Sequence, residues 1–319
     1  MQLKSKIFLS VFVISSLMSP NLIGQSRALF VTDNSEGPSL IITAGEYKIR
    51  FAELTSWSFR ETFYKGKKLF VSSGAHQPAL KETNIPKGGD VFLGTGHRKE
   101  KIELLELIIS DKSGAEISKH PIEAGLEIIK GDMFTVHKKS KFISEYHGLF
   151  YDHDAKVTIS PDGIKEEYHF KVTGDDLSSV KSMFIFMHIF PKTMKYWIAG
   201  DDTTEIERGE FVSDNSFSLC KDIRFALLYD PMQNLGITLI YPEIYQGTPG
   251  TKNAFWNRVH DNKLYFSIDP KRNKGESFSY SIAIRAFEAE EKGWGEKGNS
   301  IIDTLMGSHI KLNQNTTSK

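Results

Sequence analysis

Groups able to transfer protons are concentrated in one segment of the chain, Ser144–Pro191. Tyr146 and His147 stand near its start and His188 near its end. Imidazole and phenol can act as general base and acid when their surroundings bring their pKa values towards the working pH. Gly148 follows the first pair, so we expect Tyr146-His147 to lie on an exposed loop of the kind that carries catalytic groups. His188 is either a further catalytic group or a hydrogen-bonded histidine of the core.

Another candidate, His97, follows a short predicted strand at a turn flanked by glycines. The turn reads Gly94-Thr95-Gly96-His97-Arg98. Glycine lets the backbone approach a ligand closely, which makes His97 a further candidate acid or base. The turn is not a dinucleotide-binding motif, because the third glycine and a following helix are absent.

Side chains that could bind a carboxylate occur beside aromatic residues and in a turn-rich loop. Arg60 lies among aromatic residues, where a guanidinium can pair with a carboxylate while lying flat on a ring. A surface ion pair on an edge strand is the alternative for this arginine. Trp256, Arg258 and His260 alternate, so on a strand they would share one face. Gln77, in the turn-rich loop, could neutralise a carboxylate by hydrogen bonding.

These residue types suit elimination across C4 and C5 of a uronic acid. The reaction requires neutralisation of the carboxylate, removal of the C5 proton and protonation of the group that leaves C4. Arginine or glutamine can meet the first requirement, and histidine or tyrosine the other two. No cofactor is needed. A sugar leaving from C4 makes the enzyme a polysaccharide lyase, a hydroxyl makes it a dehydratase, and the sequence leaves both open.

A metal site is the main rival for the acidic part of this segment. Asp152, His153 and Asp154, together with His147, offer carboxylate and imidazole ligands. Adjacent residues on a strand point in opposite directions, and the spacing matches no recognised ligand pattern, so we predict no bound metal. Nucleophilic hydrolysis is disfavoured, because there is no Gly-x-Ser-x-Gly elbow and Cys220, the single cysteine, has no catalytic signature around it.

The elements that must hold these groups are predicted to be strands. Val157–Val172 alternates around Pro161-Asp162-Gly163, which predicts a half-buried hairpin. Met183–Phe190 is apolar on both faces and predicts a strand covered on both sides. Ser72–Asp90 is rich in turn residues and is predicted to be a long loop, and Ser300–Met306 is the one short helix expected. Many short strands with so little helix predict an all-β fold, a large antiparallel β-sandwich.

The charge balance and the N-terminal segment limit the classes of protein to which the chain can belong. The 319 residues carry 40 basic and 40 acidic side chains, so no net field attracts the chain to nucleic acid or to a membrane surface. Two lysines precede the apolar run Ile7–Met18, and Ala28 closes a stretch of small and polar residues. We interpret residues 1–28 as a signal peptide and residues 29–319 as one exported domain without a membrane anchor. A single cysteine allows no internal disulfide, and the periplasm or secretion is the expected destination.

The order of elements around His188 resembles a known fold. Val157–Pro191 reads as a strand, a Pro-Asp-Gly turn, a second strand, a Thr-Gly-Asp-Asp segment and an apolar strand that closes on the histidine. This pattern resembles the central part of the galactose-mutarotase-like supersandwich, where an equivalent strand pair ends in a histidine beside the sugar. Domains of several polysaccharide lyases share that fold. The mutarotase's Asn-His-aromatic signature is absent, since Met187 precedes the histidine. The exported, strand-rich chain is also similar to lyase-like dehydratases that act on ulvan oligosaccharides in marine bacteria.

We therefore expect a carbon–oxygen lyase that acts by β-elimination on uronic-acid-containing oligosaccharides such as those of ulvan. The predicted catalytic groups are His147, Tyr146, His188 and His97. The predicted substrate-binding groups are Arg60, Arg258, Trp256, Gln77 and His260. The oligosaccharide is the expected partner, and neither a cofactor nor nucleic acid is expected. A non-catalytic sugar-binding protein and a sugar mutarotase or epimerase are the alternatives.

Overall fold

The computed structural model describes residues 26–33, 37–71, 78–94, 97, 100–201, 206–247 and 253–315. Within these residues the chain forms twenty-two strands, a 3-10 helix at Glu53–Thr55 and one α-helix. The strands of the first half are β1 (Arg27–Asp33), β2 (Gly37–Ala44), β3 (Tyr47–Ala52), β4 (Ser58–Tyr64), β5 (Lys67–Phe70), β6 (Ala79–Glu82), β7 (Val91–Gly94), β8 (Glu100–Ser110), β9 (Glu116–Pro121), β10 (Glu127–Ile128), β11 (Met133–Ser144) and β12 (Gly148–Ser160). The remaining elements are β13 (Gly163–Val172), β14 (Val180–Phe190), β15 (Tyr196–Gly200), β16 (Ile206–Glu210), β17 (Phe217–Lys221), β18 (Phe225–Asp230), β19 (Leu235–Ile240), β20 (Asn253–Asn257), β21 (Asn262–Ile268), β22 (Ser277–Glu288) and α1 (Trp294–Asn315).

These strands form three antiparallel sheets. The long sheet has the order β16-β15-β18-β19-β22-β13-β12-β11-β8-β9, the first short sheet β10-β1-β2-β3-β4-β5, and the second short sheet β17-β20-β21-β14-β6-β7. The Val71 N–H donates to Ile189 O at 3.0 Å and so links the first short sheet to the second. One core contains side chains of all three sheets, among them Phe51, Phe170 and Phe266. The predicted all-β antiparallel sandwich is confirmed.

The hairpin β12–β13 shows how the sequence pattern sets the faces of the long sheet. Its strands pair from Ser160 opposite Gly163 to Tyr151 opposite Val172, around the predicted Pro-Asp-Gly turn. Tyr168, Phe170 and their alternating neighbours are buried in the core, whereas the residues between them face outward. Because side chains alternate strictly along a strand, this burial pattern follows from the period-two sequence.

β14 breaks that alternation with a bulge. Its register with β21 shifts between Ile185 and His188, and Phe186 has φ +52°, a left-handed conformation that a bulky side chain adopts rarely. Phe186 packs against the rings of Tyr168 and Tyr241. As a result, Ile185, Phe186 and His188 are all fully buried. Strict alternation would place the adjacent residues Ile185 and Phe186 on opposite faces of the sheet.

The C-terminal helix is longer than predicted. The sequence indicated Ser300–Met306, but α1 begins at Trp294, whose ring stacks on Tyr229 with centroids 5.2 Å apart. Only one stripe of the helix is apolar, with Ile302 and Leu305 packed against the outer side of the long sheet. The rest of the segment is polar and contains glycine, which hid its helical period.

Two further segments differ from the sequence interpretation. Ser72–Asp90 was predicted to be one loop, but β6 lies inside it, paired with both β7 and β14. Trp256, Arg258 and His260 would share one face if a strand ran through all three, but β20 ends at Asn257. Arg258 N–H donates to Asp261 O at 3.1 Å, so the chain turns there. In both cases the turn residues surround or interrupt a strand too short to show a period.

Most of the predicted signal peptide lies outside the described residues. Arg27 and Ala28 belong to β1, where they pair with Thr43 and Ile42, and Ala28 is fully buried. Cleavage directly after Ala28 would therefore remove two residues of this strand, and the boundary of the signal peptide stays a prediction. Among the described residues, no helix has the length and apolar character needed to cross a bilayer.

Candidate functional site

The turn between β11 and β12 carries Tyr146 and His147, as the loop prediction required. β11 ends at Ser144, whose Oγ accepts hydrogen bonds from the backbone N–H groups of Tyr146 (2.9 Å) and His147 (3.1 Å). Gly148 then opens β12 with φ +80°, which glycine adopts without steric cost. The turn thus holds both candidate side chains at the end of the long sheet in a fixed backbone conformation.

A buried carboxylate holds the ring of His147. Glu82 is the last residue of β6, and its side chain is completely buried. Its Oε1 accepts short hydrogen bonds from the Ser144 hydroxyl and from His147 Nδ1. A carboxylate on Nδ1 places the proton there and leaves Nε2 as the basic nitrogen, the arrangement by which a general base is oriented. His147 itself remains 29% exposed, so the pair joins the interior to the surface.

Glu82 carries one more polar atom that the described residues leave without a partner. Its Oε2 is buried and no described group hydrogen-bonds to it. A buried polar atom without a partner costs free energy and is characteristic of functional sites. The sequence analysis missed Glu82 because it lies within the stretch predicted to be a loop. β6 has too few apolar residues to be recognised as a strand.

The groups around His147 are aromatic and acidic. Tyr146 is 38% exposed, and its ring lies edge-on to the imidazole with centroids 6.5 Å apart. Asp176 is also close, in the loop after β13. The backbone N–H and hydroxyl of Ser178 lower the pKa of Asp176, and the positive charge of His147 when its ring is protonated lowers it further. A neutral hydroxyl therefore suits this site better than a second carboxylate would.

His188 lies in the interior, which is the core alternative left open by the sequence. Its Nε2 is 2.7 Å from Glu166 Oε1, and Tyr168 donates a short hydrogen bond to the other oxygen of that carboxylate. The ring stacks on Phe70 with centroids 5.2 Å apart. The side chains of His188 and Glu166 are both fully buried between the long sheet and the second short sheet. A substrate has no direct access to this pair.

A second interior cluster joins His153 to Glu100, Lys138 and Ser140, which the sequence analysis did not single out. Lys138 Nζ donates to Glu100 Oε2 at 3.0 Å, and Ser140 and His153 bond the other oxygen of the same carboxylate. Burial opposes ionisation of Glu100, but the charge of Lys138 and the hydrogen bonds from His153 and Ser140 outweigh it and lower its pKa to about 2. Burial lowers the pKa of His153. The cluster is an ionised pair inside the sandwich.

The metal alternative does not assemble. His153 faces the core, whereas Asp154 faces outward and bonds His137 Nε2 at 2.9 Å. His147 instead pairs with Glu82. Among the described residues, no three histidine, cysteine or carboxylate groups are arranged to hold an ion.

Three more predicted residues are held by contacts at the second short sheet. His97 stacks on Phe92 of β7 with centroids 5.1 Å apart, and burial together with the charge of Lys263 lowers its pKa. Arg258, in the turn after β20, lies over the ring of Trp256 at 5.2 Å. Neither His97 nor Arg258 hydrogen-bonds to Glu82 in the described structure, whereas His147 does.

The other predicted binding residues are His260, Arg60 and Gln77. His260 is exposed in the turn after β20, off the strand that was expected to align it with Trp256. Arg60 lies at a bulge of β4, in the first short sheet. Gln77 lies outside the described residues. Their predicted roles in binding stay predictions.

The fold was compared with known proteins. No protein-family profile and no curated protein sequence matches the chain. Among solved structures it is similar to a galactose mutarotase-like protein from Clostridium acetobutylicum, with 11% identity over 82% of this chain and 98% of that one, at a TM-score of 0.48. A galactose mutarotase-like protein from Lactobacillus casei gives 11% identity, 78% and 100% coverage and a TM-score of 0.43. An α-N-acetylgalactosaminidase from Bifidobacterium bifidum gives 9% identity, 79% and 36% coverage and a TM-score of 0.46.

These TM-scores lie below 0.5, so we infer no activity from the similarity. The assignment of an antiparallel sandwich depends on the strands and sheets described above. None of the three proteins is described as acting on ulvan.

Proposed function

We propose that this protein is a carbohydrate-active enzyme that transfers protons through His147, of the mutarotase or epimerase type. The observation that carries the proposal is the buried Glu82 carboxylate, which orients an imidazole that remains partly exposed. Tyr146 beside it supplies a second group able to give or take a proton.

The proposed reaction interconverts the anomers of a neutral sugar. His147 Nε2 takes the proton from the hydroxyl on C1 while Tyr146 donates its proton to the ring oxygen. The bond between C1 and the ring oxygen then breaks, and a carbonyl forms at C1. Ring closure on the other face of the carbonyl reverses both proton transfers, so each residue returns to its starting state. Neither step requires a cofactor.

Elimination from a uronic acid would use the same two groups and is the second candidate. Elimination differs from anomer interconversion because it requires a cation beside the substrate carboxylate. Two acidic side chains act on His147, Glu82 through a hydrogen bond and Asp176 through its charge, and both would repel that carboxylate. Of the two arginines predicted to bind the carboxylate, Arg258 lies over the Trp256 ring and Arg60 belongs to β4 of the first short sheet. The site therefore favours a neutral sugar, and the assay below separates the two reactions.

The test uses the purified chain and a panel of neutral aldoses. Polarimetry or exchange NMR follows anomer interconversion, and ultraviolet absorbance follows the unsaturated product of uronate elimination. We expect anomer interconversion, a loss of about 10²–10⁴ in kcat/KM for His147→Ala, and a smaller loss for Glu82→Gln, which keeps a hydrogen-bond acceptor but removes the charge. His120→Ala is the matched control, since this histidine lies on β9 at the far edge of the long sheet.

Two outcomes would contradict the proposal. One is that His147→Ala and His120→Ala have equal activity on a sugar that the protein converts. The other is that no sugar of the panel changes while uronate substrates give the unsaturated product, which would identify the elimination reaction instead. Circular dichroism of each variant establishes that the sandwich is folded.

A further inference from the structure

The outer surface of the second short sheet carries a row of aromatic side chains. We call it the aromatic face and define it by Phe92, Phe184, Tyr265, Trp256 and Phe217. Along this row the ring centroids of successive neighbours are 6.0, 5.5, 6.5 and 6.0 Å apart. The rings thus form one continuous aromatic strip across β7, β14, β21, β20 and β17.

The strand register places Phe217 and Trp256 together on the outer side of the sheet. The two residues pair across β17 and β20; Phe255, next to Trp256, is buried in the core, and a bulge between Phe217 and Leu219 lets Leu219 face the core as well. On β21, Leu264 is buried in the core, and Tyr265 is only 7% exposed because it packs against the rings of Phe184, Trp256 and Phe217. An antiparallel sheet usually presents a polar outer face. Phe217 is instead 53% exposed and Trp256 is partly exposed, so these two rings are accessible to a ligand.

Two cations lie over the same indole ring. Arg258 Cζ is 5.2 Å and Lys263 Nζ is 5.6 Å from the centre of the Trp256 ring. Arg258 is also paired with Asp261 at 3.1 Å, whereas no carboxylate of the described residues forms an ion pair with Lys263. Burial, together with the charge of Arg258, lowers the pKa of Lys263 to about 8. An incoming anion would supply the partner that this ammonium group lacks.

We propose that the aromatic face binds an acidic oligosaccharide, with sugar rings stacked on Trp256 and Phe217 and a carboxylate or sulfate bound by Lys263 and Arg258. Sugar rings present flat faces of C–H bonds, which pack well on exposed aromatic rings. The cations at one end of the strip provide the charge complementarity that a neutral glycan would not use. None of the residues that carry this proposal is His147, Tyr146 or Glu82, so its test is independent of the proposed enzyme activity.

Isothermal titration calorimetry tests the proposal with the full chain. The probes are a short oligogalacturonide and a neutral glucan oligosaccharide of the same length. We expect tighter binding of the acidic probe, a loss of about tenfold or more in affinity for Trp256→Ala, and a similar loss for Lys263→Met, which keeps most of the side chain but removes its charge. Added salt should weaken binding of the acidic probe.

The chain offers a matched control on another sheet. Lys195 Nζ lies 4.6 Å from the ring of Tyr196, a comparable pair of cation and aromatic ring on β15 of the long sheet. Tyr196→Ala should leave oligogalacturonide affinity unchanged. The proposal is wrong if the wild-type chain binds both probes equally, if it binds neither, or if Trp256→Ala and Lys263→Met bind as wild type does. Binding of anionic lipid vesicles in place of the oligosaccharide would also overturn it.

Discussion

Replacing Lys138 with methionine tests how the sandwich stabilises charges in its interior. Lys138 is 1% exposed, and its Nζ donates to Ser56 O at 2.9 Å as well as to Glu100. Ser56 precedes Trp57, and both have positive φ, so the lysine ties a strained turn near the first short sheet to the long sheet. Methionine keeps the volume of the side chain but removes its charge and its hydrogen bonds.

The structure sets the expected magnitude. Taking the usual pKa of Glu100 as 4.5 and its folded value as about 2, the ionised form is favoured in the folded state by roughly 3 kcal/mol. Without Lys138 the carboxylate would remain buried with its main cation missing, which typically costs about 3–5 kcal/mol. We therefore expect Lys138→Met to lower the free energy of unfolding at neutral pH by roughly 3 kcal/mol or more.

The stability difference between wild type and Lys138→Met should depend on pH in a defined direction. The low folded pKa of Glu100 stabilises the wild-type protein at pH values above about 4.5, and this contribution is lost as the pH falls towards about 2. In Lys138→Met, burial without the cation favours the protonated acid instead. The difference in stability between wild type and variant should therefore shrink as the solution is acidified. Urea unfolding followed by circular dichroism at several pH values measures it.

A neighbouring lysine provides the control. Lys139 faces outward with about half of its side chain exposed, and its Nζ is 3.6 Å from Asp154. Lys139→Met should change stability by no more than about 0.5 kcal/mol. If Lys138→Met costs no more than Lys139→Met at neutral pH, the interior pair does not contribute as argued. The double change Lys138→Met with Glu100→Leu should recover most of the loss, because no buried charge remains.

Two further predictions concern packing and access. Gly236→Ala should lower stability by about 1–3 kcal/mol, since an added Cβ would overlap the buried ring of Phe287. Gly307→Ala is the control, because this glycine of α1 faces open space, and it should be neutral or slightly stabilising. Thermal unfolding measures the stability of both variants. Equal changes in stability would contradict the packing argument. Cys220 is exposed, so a thiol reagent should modify it in the native state at a rate that denaturant does not greatly increase. A reaction seen only after unfolding would refute that placement.

The alternation of apolar and polar side chains with a period of two made the sheets predictable. Turns and bulges limited the prediction of the remaining elements. Val157–Val172 showed its hairpin directly, because alternation and a Pro-Asp-Gly turn agree. β6 has four residues, too few to show a period within a turn-rich stretch. In β14 the bulge at Phe186 moved His188 to the inner side, and such a backbone change has no signal in the pattern of apolar residues.

The candidate site could be predicted only in part for a related reason. Tyr146 and His147 were recognisable because a local feature, the glycine after them, indicates a loop. Glu82 lies 65 residues earlier in the chain, and only the packing of the second short sheet against the long sheet brings it to His147. Trp256 and Arg258 do contact each other, but through the turn after β20 rather than through alternation on a strand, and Lys263 joins them from the next strand.

Access to solvent distinguishes the histidine–carboxylate pairs of this protein better than their bonding does. His147, His153 and His188 each contact a fully buried glutamate, with comparable hydrogen-bond partners. The rings of His153 and His188 are completely buried, so their proton transfers could serve only neighbouring core groups. In the proposed reaction, a sugar hydroxyl reaches the ring of His147, which is 29% exposed, while the carboxylate behind it stays dry. Because a dry carboxylate interacts more strongly with the imidazole than a solvated one, the pair at the surface gains its chemistry from a partner in the core.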